Sequence, residues 1–600
     1  MVPLSKIQPQ SITSKEYKIQ RMRFALILVA LTVVAQTPDG ATLFKNNCAT
    51  CHDGAEGSRA PSPATLKQAT PQAILNALLG SMRVPGSKLS GGERRAVAEY
   101  LTDKTLGGDP LGASTDRCES NPPFANPASA PSWNGWSPDA TNSRFQSAKA
   151  AGLTAEQIPH LALKWSFGFP DATQAWAPVT VASGRIFVGS HNGTVYSLNA
   201  KTGCIYWTFS AEGGVRTAPS VGPVRPGHYA VYFGDTSANE YALDAATGKT
   251  LWVRKVDNHP LSRITGSPAF FNGRLYVPTA SYEESQGASP DYECCSFRGS
   301  ITALDEKNGD IVWKTYVIPD LPKPRGTSST GKTLWGPAGA AIWSAPTVDA
   351  KRGLLYAATG NTYSGEDQPN SEAVVAFDMK TGKIVWSVQG NDNDVFISGC
   401  RPGVKNPNCP DANGPDYDFG TSPVLAGNVI LIGSKSGYGF AMDPDNKGKI
   451  LWRYKVGEGG ALGGIEWGIA VEGDTVYFPL SDITRPNPGG LHAVNIKTGE
   501  KVWAVKPAKS AQSAAITVIP GAIFSGANDG ILRVFSSKDG SVIWQYDTNK
   551  DFKTLNGVPA KGASMIGPGP TVAGGMVYVN SGYGAFGGRP GNVLLAFGPE

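Results

Sequence analysis

Charge is scarce in this chain: of 600 residues only 17% are Asp, Glu, Lys or Arg, and the formal net charge is +5. No basic run is interleaved with aromatics, which argues against a nucleic-acid partner. No Gly-rich dinucleotide fingerprint follows a strand and opens a helix, so nothing points to a nicotinamide cofactor. Long hydrophobic runs are missing too. The one near the N-terminus, Phe24 to Val34, is too short to span a bilayer comfortably. Lys15, Lys18, Arg21 and Arg23 precede it and small residues lead to Ala35, so residues 1–35 read as an export signal that leaves no membrane span once removed. Gly (72) and Pro (45) are abundant, and the length calls for at least two units, one of them large and rich in turns.

The first unit announces itself as "CATCHDG", Cys48 to Gly54. Two cysteines and a histidine at this spacing attach a c-type haem: Cys48 and Cys51 form the thioethers and His52 binds the iron. An electron carrier also needs a second, soft axial ligand, and Met82 is the single methionine between the leader and residue 378. From Ser90 onward a helix is expected: Ser90 caps it, Glu93 stands three residues on, and Ala96, Val97, Tyr100 and Leu101 recur at helical spacing. Residues 36–105 thus resemble a small all-α class I cytochrome c, a resemblance on which the role of Met82 partly rests. Six cysteines remain after the haem motif, an even number that suits disulfides in an oxidising compartment, and the bacterial periplasm fits best.

A Pro-rich linker, residues 106–132, leads into a repeat. "YSLNAKTGCIYW", "YALDAATGKTLW", "TALDEKNGDIVW", "VAFDMKTGKIVW", "AMDPDNKGKILW", "HAVNIKTGEKVW" and "RVFSSKDGSVIW" each run strand, acid or amide, Gly turn, strand, Trp. Trp165 in "LALKWSFGF" has the second half alone, and "NVLLAFG" (Asn592 to Gly598) supplies the missing first half from the other end of the chain. Seven whole units and one divided between the termini predict a closed, all-β, eight-bladed β-propeller over 133–600, without an open sheet edge. The tryptophans are expected to be structural, docking each blade on the next.

The Trp repeat, "ECCSFRGSITALD", "ATGNTYS" and "GSKSGYGFAMD" together resemble the eight-bladed quinoprotein alcohol dehydrogenases, which hold pyrroloquinoline quinone (PQQ) and calcium on the propeller axis. The resemblance implies a site. Adjacent Cys294 and Cys295 form a ring against the quinone, and Trp343 stacks on its other face. Asn361 and Glu284 bind calcium, with Glu283 and Glu293 as alternatives. Asp394, or failing it Asp392, is the base and a further calcium ligand, although the His of the family's "HDEW" is absent. Lys435 bonds the reactive quinone oxygen and stabilises its anionic form. Arg216, Thr217, Thr265 and Ser267 are donors for the PQQ carboxylates, and Trp467 and Glu466 line the pocket. Cys400 and Cys409 share one loop and pair, which leaves Cys118 and Cys204 to each other by elimination.

The resemblance thus implies an enzyme in which a base removes a hydroxyl proton and hydride passes to PQQ, with haem c carrying the electrons to an external acceptor. The cytochrome-first order, "ECCSFRGS" and "NGWSPDATNSRF" narrow the resemblance to cytochrome-bearing polyvinyl alcohol dehydrogenases, which oxidise secondary hydroxyls of a polymer. Other readings are a PQQ dehydrogenase of another alcohol, a haem shuttle with a docking propeller, and a non-catalytic propeller scaffold. A scaffold needs neither a haem nor Asn361 and Lys435.

Overall fold

The computed structural model describes residues 39–600, apart from 53–60, 68, 70, 80, 81, 83–88, 90, 105–115, 171, 401–403, 412 and 507–509. The expected leader, the Ser90 cap and residues 106–115 of the linker lie outside the described residues.

Eight sheets of antiparallel strands follow one another around a ring. Blade 1 runs Thr180–Ala182, Arg185–Gly189, Thr194–Asn199 and Ile205–Ser210, in that order. Blades 2 to 7 follow in sequence, blade 3 carrying a fifth short strand (Ser262–Arg263). Blade 8 is the divided one. Its three inner strands lie at the C-terminus, and its outer strand Leu161–Gly168 pairs with Val593–Pro599, setting Trp165 opposite Ala596. The divided repeat was the sequence's evidence for closure, and this pairing supplies it.

The repeat has a packing logic. In blades 2 to 6 the outer-strand Trp faces an Ala on the neighbouring strand, next to a one-residue irregularity of register that turns the ring outward. There it meets the turn glycine of the next blade: Trp252 meets Gly309, Trp313 meets Gly382, and Trp452 meets Gly499. In blades 2, 3, 5 and 6 the indole N–H donates to a backbone carbonyl of that same neighbouring blade, as Trp313 does to Met379 at 3.1 Å. These glycines have φ near +70°, which disfavours other residues, and a Cβ would strike the indole. Trp544 of blade 7 packs on Phe597 instead, because the turn that would carry a glycine in blade 8 is where the chain ends open.

One end of the ring is closed by the segment after the linker. Trp133 bridges to Val181 of blade 1, Asn134 bonds Val221 of blade 2, and Ala140, Thr141, Ser143 and Arg144 accept amides from blades 4, 5, 6 and 7. Arg144 is fully buried and donates to Ile516 O, Trp136 O and Thr517 Oγ1 while stacking on Trp133 and Trp136. The "NGWSPDATNSRF" stretch is therefore a basal plug.

The cytochrome unit is helical: α1 (Gly40–Asn47), α2 (Ala49–His52), α3 (Pro63–Leu66), α4 (Pro71–Leu79) and α5 (Gly91–Thr102). α1 crosses α5 so closely that a side chain on Gly40 would overlap the Ala96 carbonyl. Phe44, Leu78, Val97 and Leu101 form its core, and Met82 packs against them. Disulfide Cys118–Cys204 ties the end of the linker to blade 1.

Replacing Gly382 by Val tests the docking rule. Left-handed strain costs about 1–2 kcal/mol, and the clash with Trp313 adds about 1–3 kcal/mol. Gly353→Val, at a φ of +66° with open space around it, carries the strain alone. Thermal unfolding should place Gly382→Val clearly below Gly353→Val; equal losses would mean that the glycine is there for its backbone only.

Candidate active site

Opposite the plug the ring opens into a cavity of about 740 Å³, within the size range of cofactor and ligand sites. Loops from several blades bring their residues to it, and two groups of charge share it.

The first is an acidic corner. Glu284 sits on the one-turn helix Glu283–Gln286 after an inner strand of blade 3, and its carboxylate accepts from Ser398 Oγ at 2.6 Å. Asp416 and Asp418 flank Tyr417 in the irregular loop before blade 5. Lys435 reaches in from that blade to Asp416 Oδ1 at 2.7 Å and Asp418 Oδ2 at 3.5 Å. Three carboxylates face one ammonium. Burial alone pulls Lys435 down, but the surrounding acids more than reverse it and hold the amine charged. Burial pushes Asp416 and Glu284 up, and neighbouring Asp418 adds to both. Asp416 also holds a φ of +63°, uncommon for a non-glycine and typical of strained functional positions.

Asn361 completes this corner. Its backbone N–H donates to Asp418 Oδ1 at 2.8 Å, and its Nδ2 donates to the Thr362 and Phe396 carbonyls, both at 2.9 Å. Those bonds fix the amide with Oδ1 buried and without a partner. A buried acceptor left open beside excess carboxylate suits a hard cation. Among the described residues no three acidic, His or Cys side chains converge tightly enough to hold a metal by themselves, so the remaining ligands have to come from Asn361 and a bound molecule.

The second group is cationic. Arg216 stacks over Trp467 (4.7 Å) and Tyr583 (5.6 Å), and Arg263 over Tyr282 (4.9 Å). Among the described residues neither guanidinium has an acidic partner within ion-pair distance. Burial pulls Arg263 down to about 10, and neighbouring Arg216 adds to the effect. Thr265 Oγ1, nearby, is also buried and unpartnered. Trp343 forms one wall, its Nε1 donating to Asp418 Oδ2 at 3.1 Å, with Trp467 edge-on to it at 5.3 Å. Together with Lys435 these residues describe a slot for a flat, multiply anionic molecule.

The expected residues divide cleanly. Glu284, Asn361, Trp343, Lys435, Arg216, Thr265, Trp467 and Glu466 all line the cavity. Thr217 and Ser267 do not: Thr217 bonds Gly234 within its own blade, and Ser267 Oγ accepts the Ala218 amide. Asp394 is buried behind the loop rather than in the cavity wall, accepting the amides of Asp416 (3.2 Å) and Tyr417 (2.7 Å). Asp392 is exposed. Glu283 turns away to the amides of Ser296 and Phe297 and to His259, and Glu293 is exposed. The Cys294–Cys295 ring is buried behind Ala280, Ala341 and Tyr363, which do line the cavity. Cys400 is paired with Cys409. In the cytochrome, His52 is buried with Nδ1 on the Pro61 carbonyl at 2.8 Å, which leaves Nε2 for iron; the Cys51 side chain lies outside the described residues.

Sequence reasoning missed Asp416, Asp418 and Arg263. "PDYDFG" offered two acids around an aromatic, but its place after a disulfide loop hid it. Arg263 stands two residues before Thr265 in "SRITGSP", so the strand alternation that suggested Thr265 pointed to it as well.

Known proteins share this fold and the haem module. The family model described as glucose/ethanol/alcohol dehydrogenase, beta-propeller domain, matches residues 133–396, and that of cytochrome C oxidase, cbb3-type, subunit III, matches 35–101. A third, outer membrane protein assembly factor BamB, matches 435–584, where the Trp repeats continue. A polyvinylalcohol dehydrogenase of Pseudomonas sp is 39% identical over 98% of this chain and 99% of its own. Another, from Sphingopyxis sp. (strain 113P3), is 40% identical over 94% and 93%. Among solved structures, quinohemoprotein alcohol dehydrogenase ADHIIG from Pseudomonas putida HK5 superposes with a TM-score of 0.60 at 17% identity, covering 80% of this chain and 83% of that one.

The unpaired cations carry a test. In the cofactor-free protein Arg263→Met removes one buried, uncompensated charge and should raise the melting temperature; added PQQ should then stabilise the variant less than the parent. A lower melting temperature without PQQ would show that Arg263 is already satisfied. Charge, fold, haem module and relatives converge: this chain is a PQQ- and haem c-dependent alcohol dehydrogenase and belongs to the polyvinyl alcohol dehydrogenase family.

Proposed function

We propose that the chain oxidises secondary hydroxyls of a polymeric alcohol, polyvinyl alcohol or a natural counterpart, to ketones in the periplasm, and passes the electrons to an external acceptor. The observation that carries the chemistry is the Asp416–Lys435 pair at 2.7 Å, on the cavity wall beside the open Asn361 oxygen. Bound PQQ supplies a carbonyl that takes two electrons, and haem c a carrier that takes one at a time. Trp343 and the Arg216, Arg263 and Thr265 donors hold the flat anion. Glu284, Asn361, Asp416 and Asp418 are the residues for calcium. Asp416 takes the hydroxyl proton, for which burial has raised its affinity, and Lys435 opposes that rise in part and faces developing negative charge. Asp394 serves this base from behind by fixing the backbone of residues 416 and 417.

The polymeric substrate rests on the two near-full-length relatives and on an apolar rim at Tyr282, Leu462 and Phe586, against which a carbon chain can lie. The periplasm rests on the export-type leader and the haem attachment motif. No helix among the described residues is long and apolar enough to cross a membrane.

Asp416→Asn should lower kcat by about 10²–10⁴-fold, the usual size of a general-base contribution, with PQQ still bound. Asp394→Asn should cost at least roughly ten times less, since it acts through the backbone. The opposite ranking would return the base to Asp394. With holoenzyme, polyvinyl alcohol and secondary diols should give higher kcat/KM than ethanol; activity confined to primary alcohols would overturn the substrate.

A further inference from the structure

Among the described residues, the cytochrome meets the propeller at a place that also backs the quinone cavity. Arg95, near the N-terminal end of α5, is aligned by Glu99 at 3.0 Å and donates through Nη1 to the Ala211 carbonyl at 2.8 Å. Arg94 beside it is 5% exposed, anchored on the Leu89 carbonyl at 2.7 Å, and interacts across the boundary with Glu212 and Asp235.

Residues 211–215 connect blades 1 and 2 and are unusually fixed for a loop. Ala211 N–H donates to Gly193 O (2.9 Å), Glu212 N–H to Tyr241 Oη (3.0 Å), Gly213 N–H to Asp235 Oδ2 (2.9 Å) and Val215 N–H to Ser190 O (2.9 Å). The Val215 carbonyl accepts from Trp176 Nε1 at 2.9 Å. Two glycines let the segment press in on both sides: a Cβ on Gly213 would come 2.8 Å from Ser237 Oγ, and one on Gly214 would come 2.7 Å from His191 O and 3.1 Å from the Trp176 ring. Trp176 and His191 stack edge to face at 4.3 Å, and both line the cavity. One five-residue segment therefore separates the cavity wall from α5.

We propose that residues 211–215, with Arg94 and Arg95, form the docking seam through which electrons leave the quinone cavity for the haem. This rests on the reading that the two electrons taken from the alcohol leave by way of haem c. They cross in two one-electron steps, each reducing one ferric haem to ferrous, and the external acceptor reoxidises the haem between them. Arg95 is a positioning residue here: it holds the cytochrome against the segment and touches neither substrate nor cofactor.

The test uses the full-length holoenzyme and Arg95→Glu, which places a third acid beside Glu99 and Glu212. Losing a charge-assisted hydrogen bond and gaining repulsion should slow haem reduction after mixing with alcohol by roughly tenfold. Alcohol oxidation coupled to a dye that takes electrons directly from the quinone should change by less than about twofold. Arg95→Lys should recover most of the haem rate. Independently of turnover, amide exchange at residues 91–95 should accelerate in Arg95→Glu while the haem spectrum stays that of the parent. Equal haem-reduction rates in parent and Arg95→Glu would overturn the seam. A parent whose haem is never reduced by alcohol, although the dye is, would overturn the quinone-to-haem reading and the seam with it.

Discussion

The pairing of Leu161–Gly168 with Val593–Pro599 holds this protein in its working shape. Antiparallel hydrogen bonds between strands more than 400 residues apart close the ring, and closure removes the free edges that would otherwise bind other chains. It also fixes how far each blade stands from the axis. Arg216, Glu284, Asn361, Asp416 and Lys435 come from blades 2 to 5 or the connections leading into them, yet they meet in one cavity because these blades are docked on their neighbours by the same Trp–Gly contact. The loops that carry chemistry vary in length and content; the ring beneath them does not.

Within that frame the cavity is electrically unfinished. One corner holds three carboxylates against one ammonium, and the opposite side holds two guanidiniums without an acid at ion-pair distance among the described residues. Separating charge this way costs stability in the empty protein. The arrangement makes sense once a multiply anionic, planar cofactor lies between the two groups with a cation at the acidic end. The Asn361 acceptor and the Thr265 hydroxyl are both buried and without a partner, and the proposed ligand would reach one at each end. Trp343 and Trp467 supply aromatic walls between the two groups. The haem module then stands behind the wall on the side of blades 1 and 2, where disulfide Cys118–Cys204 keeps its tether short.

Much of this is readable in the residues alone, for physical reasons. The Trp repeat survives in sequence because each docking Trp other than Trp544 needs its glycine turn, so the pattern marks the blades. The split of "NVLLAFG" from "LALKW" reveals closure because a half-repeat has no partner except at the other terminus. Asn361, Glu284 and Lys435 are legible through the resemblance, because "ATGNTYS", "ASYEES" and "GSKSGYGFAMD" match family motifs. Asp416 is not. It sits in an irregular loop with a left-handed backbone, where no periodicity says which way a side chain points, and the nearby Asp394 matches the expected position after a Trp strand. That acid is buried as well, but it holds the loop. Thr217 and Ser267 mislead in the opposite way: they open inner strands, as expected, but their hydroxyls are taken up by neighbouring backbone. Choosing between Glu283 and Glu284 needs the geometry of a single helical turn, which sends adjacent side chains in different directions.

Crystals of the protein grown with PQQ and calcium give the most direct measurement. The account predicts a flat ligand on Trp343, with carboxylates at Arg216 and Arg263 and a cation about 2.3–2.6 Å from Asn361 Oδ1. A quinone bound outside the axial cavity, or a cation ligated without Asn361 and the carboxylates of Glu284 and Asp416, would contradict it.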